Sequence, residues 1–317
     1  MKIRNVVALS LRKKVLKIKD EFFKRTIKLF GWGLYYQTKN NFNLLAIESS
    51  LRGTLFKHLF GKHAEGVIFK ASTGLFISDP KDLTVAVELG HLGSYDLSKI
   101  TYLTSLISKE AVVYILGTHI GTLAIPIAGK VKTVIAFEPN PASFEFLKMN
   151  IYLNKIENIQ AINKGVFNAN TFIDFYQNTA NSGGSKIKPE MDGFIYNYDK
   201  PNCIQIEVVK LDDFIAENNV PFPDLMIVDI EGAEYAALHG GSKCLEQLKY
   251  MCIEFVPHHL LNVANITVDQ FLSVILPYFQ TMLIVGGSDK RYNSGEIETI
   301  LKEYLEKGIC CDLLFYK

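Results

Sequence analysis

Carboxylates that follow apolar runs are the clearest candidates for chemistry in this chain. Asp229 comes directly after the apolar run 225–228, and Glu231 stands two residues further on. A carboxylate at the end of a buried strand can act as a general base that accepts a proton from a hydroxyl group. Glu231 and the nearby Glu234 can also complement the positive end of the helix expected next, which is the more typical role for Glu234. We interpret Asp229 and Glu231 as candidate catalytic residues.

A second group of candidates follows the next apolar run, in the segment CIEFVPHH. Glu254 and His258 are expected to face the same edge of a sheet as Asp229. His258 is a third candidate catalytic residue, although a histidine after a proline at a strand exit is also a common loop hydrogen-bonding residue. Carboxylates without a cluster of His and Cys make a structural zinc site improbable. We predict no metal site, with Mg²⁺ held by Asp229 and Glu231 as the open alternative.

A glycine turn and an acidic residue predict where a cofactor binds. Gly117, Thr118, His119 and Gly121 follow an apolar run, and glycines allow the backbone to turn tightly and approach a ligand. Glu138 follows the next run, seventeen residues after Gly121. A carboxylate in that place can accept both hydroxyls of a ribose. Together these residues predict an adenosine-containing cofactor.

The composition of the turn favours one such cofactor over another. A nicotinamide dinucleotide carries a pyrophosphate that favours the fuller G-x-G-x-x-G pattern. Here the middle glycine is absent, and His119 and Ile120 crowd the turn. S-adenosylmethionine has no phosphate and tolerates such a turn. We therefore predict S-adenosylmethionine, with a nicotinamide-dependent oxidoreductase as the open alternative.

Short β-branched runs alternate with helical segments from residue 110 onward. This alternation is typical of βαβ units and of a parallel sheet. We predict an α/β fold with a doubly wound, mostly parallel sheet of the Rossmann-like kind. The runs expected to be strands cover 112–116, 133–137, 159–166, 225–228, 251–255, 282–285 and 311–316. Because ligands bind outside the carboxyl ends of such strands, the candidate residues are expected to share one crevice.

Residues 167–210 interrupt the alternation with a long segment that is rich in Gly, Ser and Asn. Two runs typical of strands, 171–176 and 204–210, flank it. A loop of this length inside a compact domain is usually a lid or a binding loop. The Gly183-Gly184 pair gives this loop conformational freedom. We predict that the loop around 181–185 is mobile without ligand and closes over the acceptor.

The first hundred residues differ from the rest in charge and pattern. Residues 1–28 hold ten Lys and Arg against two acids, whereas the whole chain has a formal net charge of +1. Apolar residues at helical spacing over 9–30 predict an amphipathic basic helix that docks on the protein or lies on an anionic membrane surface. A β-hairpin is expected over 66–80. We predict an α+β N-terminal appendage over 1–105 and the main domain over 106–317.

Composition and charge exclude several other classes of protein. The near-neutral charge provides no field that attracts nucleic acid, so no nucleic acid partner is expected. The cysteines are odd in number and form no CxxC pair, which favours reduced thiols and a cytoplasmic location. The short apolar stretch near the N-terminus is atypical of a signal peptide. Residues 111–129 lack charge, but glycines and a proline interrupt them, so we expect a strand, a turn and a helix.

Four segments of the chain together resemble the FkbM-type methyltransferases, a branch of the class I S-adenosylmethionine-dependent enzymes. They are ILGTHIGTLAIP, VIAFEPNPASFEFLKMNIYLN, NSGGS and LMIVDIEGAEYAALHGG, within about residues 110–285. The resemblance implies a seven-stranded sheet with an antiparallel last strand, and Glu138 on the ribose of the cofactor. It also implies methyl transfer, typically to a hydroxyl of a polyketide or saccharide acceptor. The substrate loop would contain Asn181, Ser182 and Ser185.

Three positions depart from the pattern of this family. Ile115 stands where the family commonly has an acid, and His119 replaces the usual Asn of the glycine turn. Asn168 stands where an Asp often meets the adenine amine, and an amide can still hydrogen-bond the ring. The residues predicted to bind the cofactor are thus Gly117, Thr118, His119, Gly121, Glu138 and Asn168. A non-catalytic homologue that binds a cofactor or a partner is the open alternative.

Overall fold

The computed structural model describes residues 63–197 and 199–317, together with residues 53, 55–56 and 58–61. The amphipathic helix predicted over 9–30 lies outside the described residues. The strands are β1 (Val67–Ala71), β2 (Gly74–Ser78), β3 (Val112–Leu116), β4 (Thr133–Phe137), β5 (Ile159–Ile162), β6 (Gly165–Val166), β7 (Thr171–Gln177), β8 (Lys186–Ile187), β9 (Asn202–Val209), β10 (Leu225–Val228), β11 (Tyr250–Phe255), β12 (Thr281–Ile284), β13 (Tyr292–Asn293) and β14 (Cys311–Tyr316).

The helices connect these strands and cover the faces of the sheet. They are α1 (Val85–His91), α2 (Leu97–Ser105), α3 (Ala124–Ala128), α4 (Pro141–Leu153), α5 (Phe194–Asn197), α6 (Leu211–Asn218), α7 (Glu234–His239), α8 (Ser242–Gln247), α9 (Val268–Ser273) and α10 (Ser294–Lys307). A 3₁₀ turn covers Ser182–Gly184, and a π-helix covers His259–Val263. No helix of the described chain is long and apolar enough to cross a membrane.

The main sheet has the strand order β13-β12-β14-β11-β10-β3-β4-β5. Strands β5, β4, β3, β10 and β11 are parallel, and β14 pairs antiparallel with both β11 and β12. The prediction of a doubly wound, mostly parallel α/β sheet is therefore confirmed. The short edge strand β13 adds an eighth strand to the seven expected. The order changes direction between β3 and β10, which places a crevice at the carboxyl ends of these two strands.

Strands β3 and β10 form the centre of the sheet because their side chains are apolar on both faces. Every residue of β3 and of β10 is buried. Val112, Tyr114 and Leu116 point into one core layer, whereas Val113 and Ile115 point into the other. Continuous apolar runs of this kind are typical of parallel strands that helices cover on both sides. The rigid centre fixes the positions of the residues that follow each strand.

One predicted strand is wrong in its extent. The run 159–166 is two strands, because β5 joins the main sheet whereas β6 joins a second sheet with the order β6-β9-β7-β8. Asn163 lies at the break, where its side-chain amide donates to the backbone oxygen of Glu138 at 2.8 Å. That bond ties the exit of β5 to the exit of β4. The second sheet contains both strand runs predicted at the flanks of the long insertion.

The hairpin predicted near residue 70 is confirmed and packs on helix α4. Strands β1 and β2 pair antiparallel. Asn150 of α4 and Asn154, the residue after the helix, bond the backbone of β2 through their side-chain amides. Asn154 accepts from the N–H of Leu75 at 2.9 Å and donates to its oxygen at 2.7 Å. These bonds hold the hairpin against the helix that follows the predicted ribose residue.

Candidate functional site

The glycine turn after β3 brings two strand ends into direct contact. Gly117 has a φ of +85°, and a Cβ atom there would lie 1.7 Å from the backbone oxygen of Asp229. Only glycine fits this close approach and this left-handed conformation. Gly121 also has a positive φ, and a Cβ atom there would lie 2.8 Å from the side chain of Leu147. Gly121 therefore allows the turn to pack on α4 rather than lining the cleft.

Glu138 lies at the end of β4 and is held by backbone amides. Its Oε2 accepts from the N–H of His119 at 2.7 Å, and its Oε1 accepts from the N–H of Asn140 at 2.8 Å. Each oxygen keeps a second lone pair for a ligand. Burial raises the pKa of Glu138 to about 7, against the stabilising effect of the two N–H groups. Asn140 caps α4, and its side chain accepts from the N–H of Ala142.

Three carboxylates converge beside this turn. Oxygen atoms of Asp229, Glu231 and Glu254 all lie within 4.8 Å of one another. Asp229 is hydrogen-bonded to Glu254, and burial raises the pKa of both groups, with their mutual repulsion raising that of Glu254 further. Lys99 acts in the opposite direction on Asp229. Carboxylates this close share protons rather than all being ionised.

Glu231 combines an unusual backbone conformation with a largely buried side chain. Its φ of +55° lies in the left-handed region, which is unusual for a residue other than glycine. Its Oε2 lies 3.1 Å from Nε2 of His259, and its side chain is 19% exposed. Burial, followed by the charge of Asp229, raises its pKa to about 8. Strained residues cluster at functional sites, so this conformation supports a functional role.

Glu234 has the structural role that its position on a helix predicts. Its carboxylate accepts from the N–H groups of Gly232 and Ile230 at 3.0 Å and 3.2 Å. It therefore closes the turn that carries Glu231. Glu234 does not line the cleft among the described residues.

The substrate loop is attached to both the glycine turn and the hairpin region. The hydroxyl oxygen of Ser182 lies 2.8 Å from Nε2 of His119. The same hydroxyl donates to the carboxylate of Asp82 at 2.6 Å. Thr84 donates to the side chain of Asn181 at 2.5 Å. These contacts hold the 3₁₀ turn over the mouth of the cleft. The predicted mobility of the loop stays a prediction.

The cleft joins these groups into one site with a cavity volume of about 200 Å³. Most of the residues selected from the sequence line it: Gly117, Thr118, His119, Glu138, Asn181, Ser182, Ser185, Asp229, Glu231 and Glu254. Tyr95 and Phe175 also line it. Neither was predicted from the sequence, because aromatic residues are common in cores and carry no signal of their own.

An apolar slot adjoins the cleft and shares Gly117, Phe175 and Ile230 with it. Phe167 and Val166 also line the slot. A lining of apolar and aromatic side chains suits an aromatic ring such as adenine. Asn168 lies outside the cleft and the slot, exposed, next to Phe167 in sequence.

The two adjacent histidines after β11 have different surroundings. His258 lies outside the cleft, where its ring Nδ1 is 3.3 Å from the hydroxyl of Tyr196. His259 instead contacts Glu231. His258 was the predicted residue, because the doublet alone does not show which ring contacts the carboxylates. The role of His258 as a base stays a prediction that this placement does not support.

Residues 116–276 match the family model described as the methyltransferase FkbM domain. The chain belongs to this family. It is 30% identical over 132 residues to Methyltransferase 1 of Beauveria bassiana, covering 34% of this chain and 48% of the relative. It is 26% identical over 147 residues to the hexuronic acid methyltransferase AglP of Haloferax volcanii, covering 46% of this chain and 56% of the relative. The chain thus spans about half the length of these curated relatives.

The chain is also similar in structure to methyltransferase FkbM from Methylobacillus flagellatus, whose crystal structure is known. It shares 16% sequence identity with this chain at a TM-score of 0.41. The alignment covers 92% of this chain and 59% of that chain.

Membership of the family supports S-adenosylmethionine as the cofactor, and the site fits it. Glu138 is only 6% exposed, yet its carboxylate lines the cleft and keeps acceptor capacity for ribose hydroxyls. The apolar slot suits the adenine ring. The acidic side chains near Gly117 provide oxygen atoms that suit the positive sulfonium and ammonium groups of the cofactor.

We expect Glu138→Ala to weaken binding of S-adenosylmethionine by about 1.5–3 kcal/mol, the scale of hydrogen bonds to a charged group. Isothermal titration calorimetry on the wild-type and variant proteins measures this difference. Glu145→Ala, at an exposed position on the same α4 helix, is the matched control. Unchanged affinity of the Glu138 variant would contradict the ribose assignment.

The raised carboxylate pKa values also predict how stability depends on pH. Glu138 and Glu231 have pKa values of about 7 and about 8 in the folded protein, above the usual 4.5. Between the usual pKa of 4.5 and these raised values, the folded state therefore binds more protons than the unfolded state. Stability consequently decreases as pH rises through this range. We expect the Tm of the cofactor-free protein to decrease from pH 6 to pH 8, within the window that these pKa values define. A Tm that rises over this window, or the same slope in Glu231→Gln, would contradict the assignment.

Proposed function

We propose that this protein is an S-adenosylmethionine-dependent O-methyltransferase that acts on a hydroxyl of a saccharide or another small metabolite. One observation carries the proposal. Glu231 lines the cleft with a carboxylate whose pKa burial raises to about 8, beside the turn expected to hold the cofactor. A base with a pKa near the working pH is the most effective acceptor of a hydroxyl proton.

S-adenosylmethionine, when bound, supplies a methyl carbon made electrophilic by its sulfonium. The residues of this chain then have separate tasks. Glu138 and the apolar slot hold the nucleoside, while the absence of a side chain at Gly117 allows a close approach to the backbone. Asp229 orients the acceptor beside the methyl group, and Glu231 accepts the hydroxyl proton. Alignment of this kind lowers the barrier of a bimolecular displacement by several kcal/mol.

The name of one relative supports a saccharide acceptor. The matched protein of Haloferax volcanii is a hexuronic acid methyltransferase. In this chain, the polar residues Asn181, Ser182 and Ser185 of the substrate loop line the cleft. Such groups pair well with the hydroxyls of a sugar. We infer that this loop contacts the acceptor.

Methyl transfer from isotope-labelled S-adenosylmethionine to a panel of neutral and uronic acid glycosides tests the proposal. Mass spectrometry of the products locates the added methyl group. O-methylated product that depends on the wild-type protein supports the proposal. Cofactor binding without transfer to any class of hydroxyl acceptor would favour the non-catalytic alternative. A nicotinamide-dependent oxidoreductase has no support from the family to which the chain belongs.

We expect transfer to survive removal of divalent cations. The Asp229–Glu254 hydrogen bond and the Glu231–His259 contact already relieve the repulsion among the three carboxylates. Assays in EDTA, compared with assays in added Mg²⁺, check this expectation. Loss of turnover in EDTA that Mg²⁺ restores would contradict it and favour a metal held by Asp229 and Glu231.

A further inference from the structure

The side chain of His259 lies against Glu231, which lines the cleft. Its Nε2 is 3.1 Å from Oε2 of Glu231, and the His259 side chain is 9% exposed. The sequence alone drew attention to its neighbour, His258. We propose that His259 is a positioning residue that holds the Glu231 carboxylate in place for proton transfer, an inference that rests on the proposed O-methyltransferase function.

The backbone around His259 supports this role. Residues His259–Val263 form a π-helix, a rare element that is frequent at functional sites. A Cβ atom at Gly232 would lie 2.5 Å from Cγ1 of Val263, so the π-helix packs directly on the Glu231-Gly232 turn. The N–H of Ala264 closes the π-helix by donating to the backbone oxygen of His259 at 2.9 Å. Both ends of this element therefore brace the turn that carries Glu231.

The surroundings of the His259 ring set its proton on one nitrogen. Its Nδ1 is buried and has no hydrogen-bond partner. A proton on Nδ1 would leave a buried donor unsatisfied, which is costly. The ring therefore carries its proton on Nε2, the nitrogen that lies 3.1 Å from Oε2 of Glu231. This arrangement leaves Oε1 of Glu231 for the acceptor hydroxyl.

The close contact of Nε2–H of His259 with the carboxylate also favours the ionised form of Glu231. Burial lowers the pKa of His259 to about 2, so the ring is neutral and acts as a donor rather than as a charge. The other titratable groups that act on or respond to Glu231 are Asp229, Glu234, Glu254, Lys186 and Cys310. Removal of His259 leaves these groups in place. The pKa of Glu231 is then expected to rise, because its ionised form loses a donor.

Two substitutions at one position test the proposal. His259→Gln keeps an amide N–H near the place of Nε2, whereas His259→Leu removes the donor at similar bulk. We expect His259→Leu to lower kcat by about tenfold to a hundredfold, the range that a lost hydrogen bond to a charged group corresponds to. The acid limb of its pH–rate profile is expected to move to higher pH, and His259→Gln is expected to restore both quantities toward wild type. His239→Leu, at an exposed position on α7, is the control for loss of a histidine.

The outcomes separate this inference from the proposed function. Wild-type protein that transfers no methyl group would overturn the proposed function and this inference with it. Active wild-type protein with an unmoved acid limb in His259→Leu, and a lowered Tm alone, would overturn the inference and leave the proposed function intact. Affinity for S-adenosylmethionine, measured by calorimetry, is expected to be equal in the wild-type protein, His259→Leu and His259→Gln.

Discussion

Glu231→Gln is expected to lower methyl transfer at least about a hundredfold, the lower end of what a positioned base contributes. The amide has nearly the same shape as the carboxylate and can still contact His259, but it cannot accept the hydroxyl proton. Affinity for S-adenosylmethionine and the Tm below pH 7 are expected to stay close to the wild-type values. Single-turnover transfer to the best glycoside acceptor measures the effect on the chemical step.

A matched variant on α6 controls for the loss of a carboxylate in Glu231→Gln. Glu217→Gln, on the exposed face of α6, makes the same chemical change far from the cleft and is expected to have wild-type turnover. Asp229→Asn is expected to lower turnover through lost orientation of the acceptor, with cofactor binding retained. A lower Tm with normal turnover in Glu231→Gln would show that the acid only supports the turn, and Glu254 would then be the next candidate base.

Gly117→Ala is expected to abolish cofactor binding and to destabilise the fold. The added Cβ atom would lie 1.7 Å from the backbone oxygen of Asp229, so the ends of β3 and β10 must separate. The left-handed conformation alone costs about 1–2 kcal/mol for a residue with a Cβ atom. Denaturant unfolding measures the stability loss, and calorimetry measures binding of S-adenosylmethionine.

Gly308→Ala separates the steric clash from the conformational cost. Gly308 also has a positive φ, of +65°, but a Cβ atom there would meet nothing within 4 Å. We expect the free energy of unfolding of the Gly308 variant to decrease only by the cost of the left-handed conformation. This variant is expected to bind S-adenosylmethionine normally. Equal stability losses in the two variants, or retained cofactor binding in Gly117→Ala, would contradict the close approach between Gly117 and Asp229.

Apolar continuity made the central strands predictable. The runs 112–116, 133–137, 225–228 and 311–316 match strands β3, β4, β10 and β14 residue by residue. Of these, β3, β4 and β10 are buried parallel strands, which need apolar side chains on both faces as few other elements do. The run 159–166 failed because β5 and β6 join different sheets across Asn163, and the pairing partner of a strand is a tertiary property that the run itself does not contain.

The site residues that directly follow a strand were predictable from the sequence. Glu138 and Asp229 follow β4 and β10 directly, so their placement at the cleft follows from the topology of the sheet. The choice between His258 and His259 was not predictable, because a π-helix changes which ring faces inward. Ser182 reaches His119 only because the second sheet folds the long insertion over the glycine turn.

Calorimetric titration of the wild-type protein with S-adenosylmethionine and with NAD tests the central claim most directly, because it needs no knowledge of the acceptor. The account predicts saturable binding of S-adenosylmethionine that Glu138→Ala weakens, and no binding heat with NAD. Saturable binding of NAD without binding of S-adenosylmethionine would contradict it.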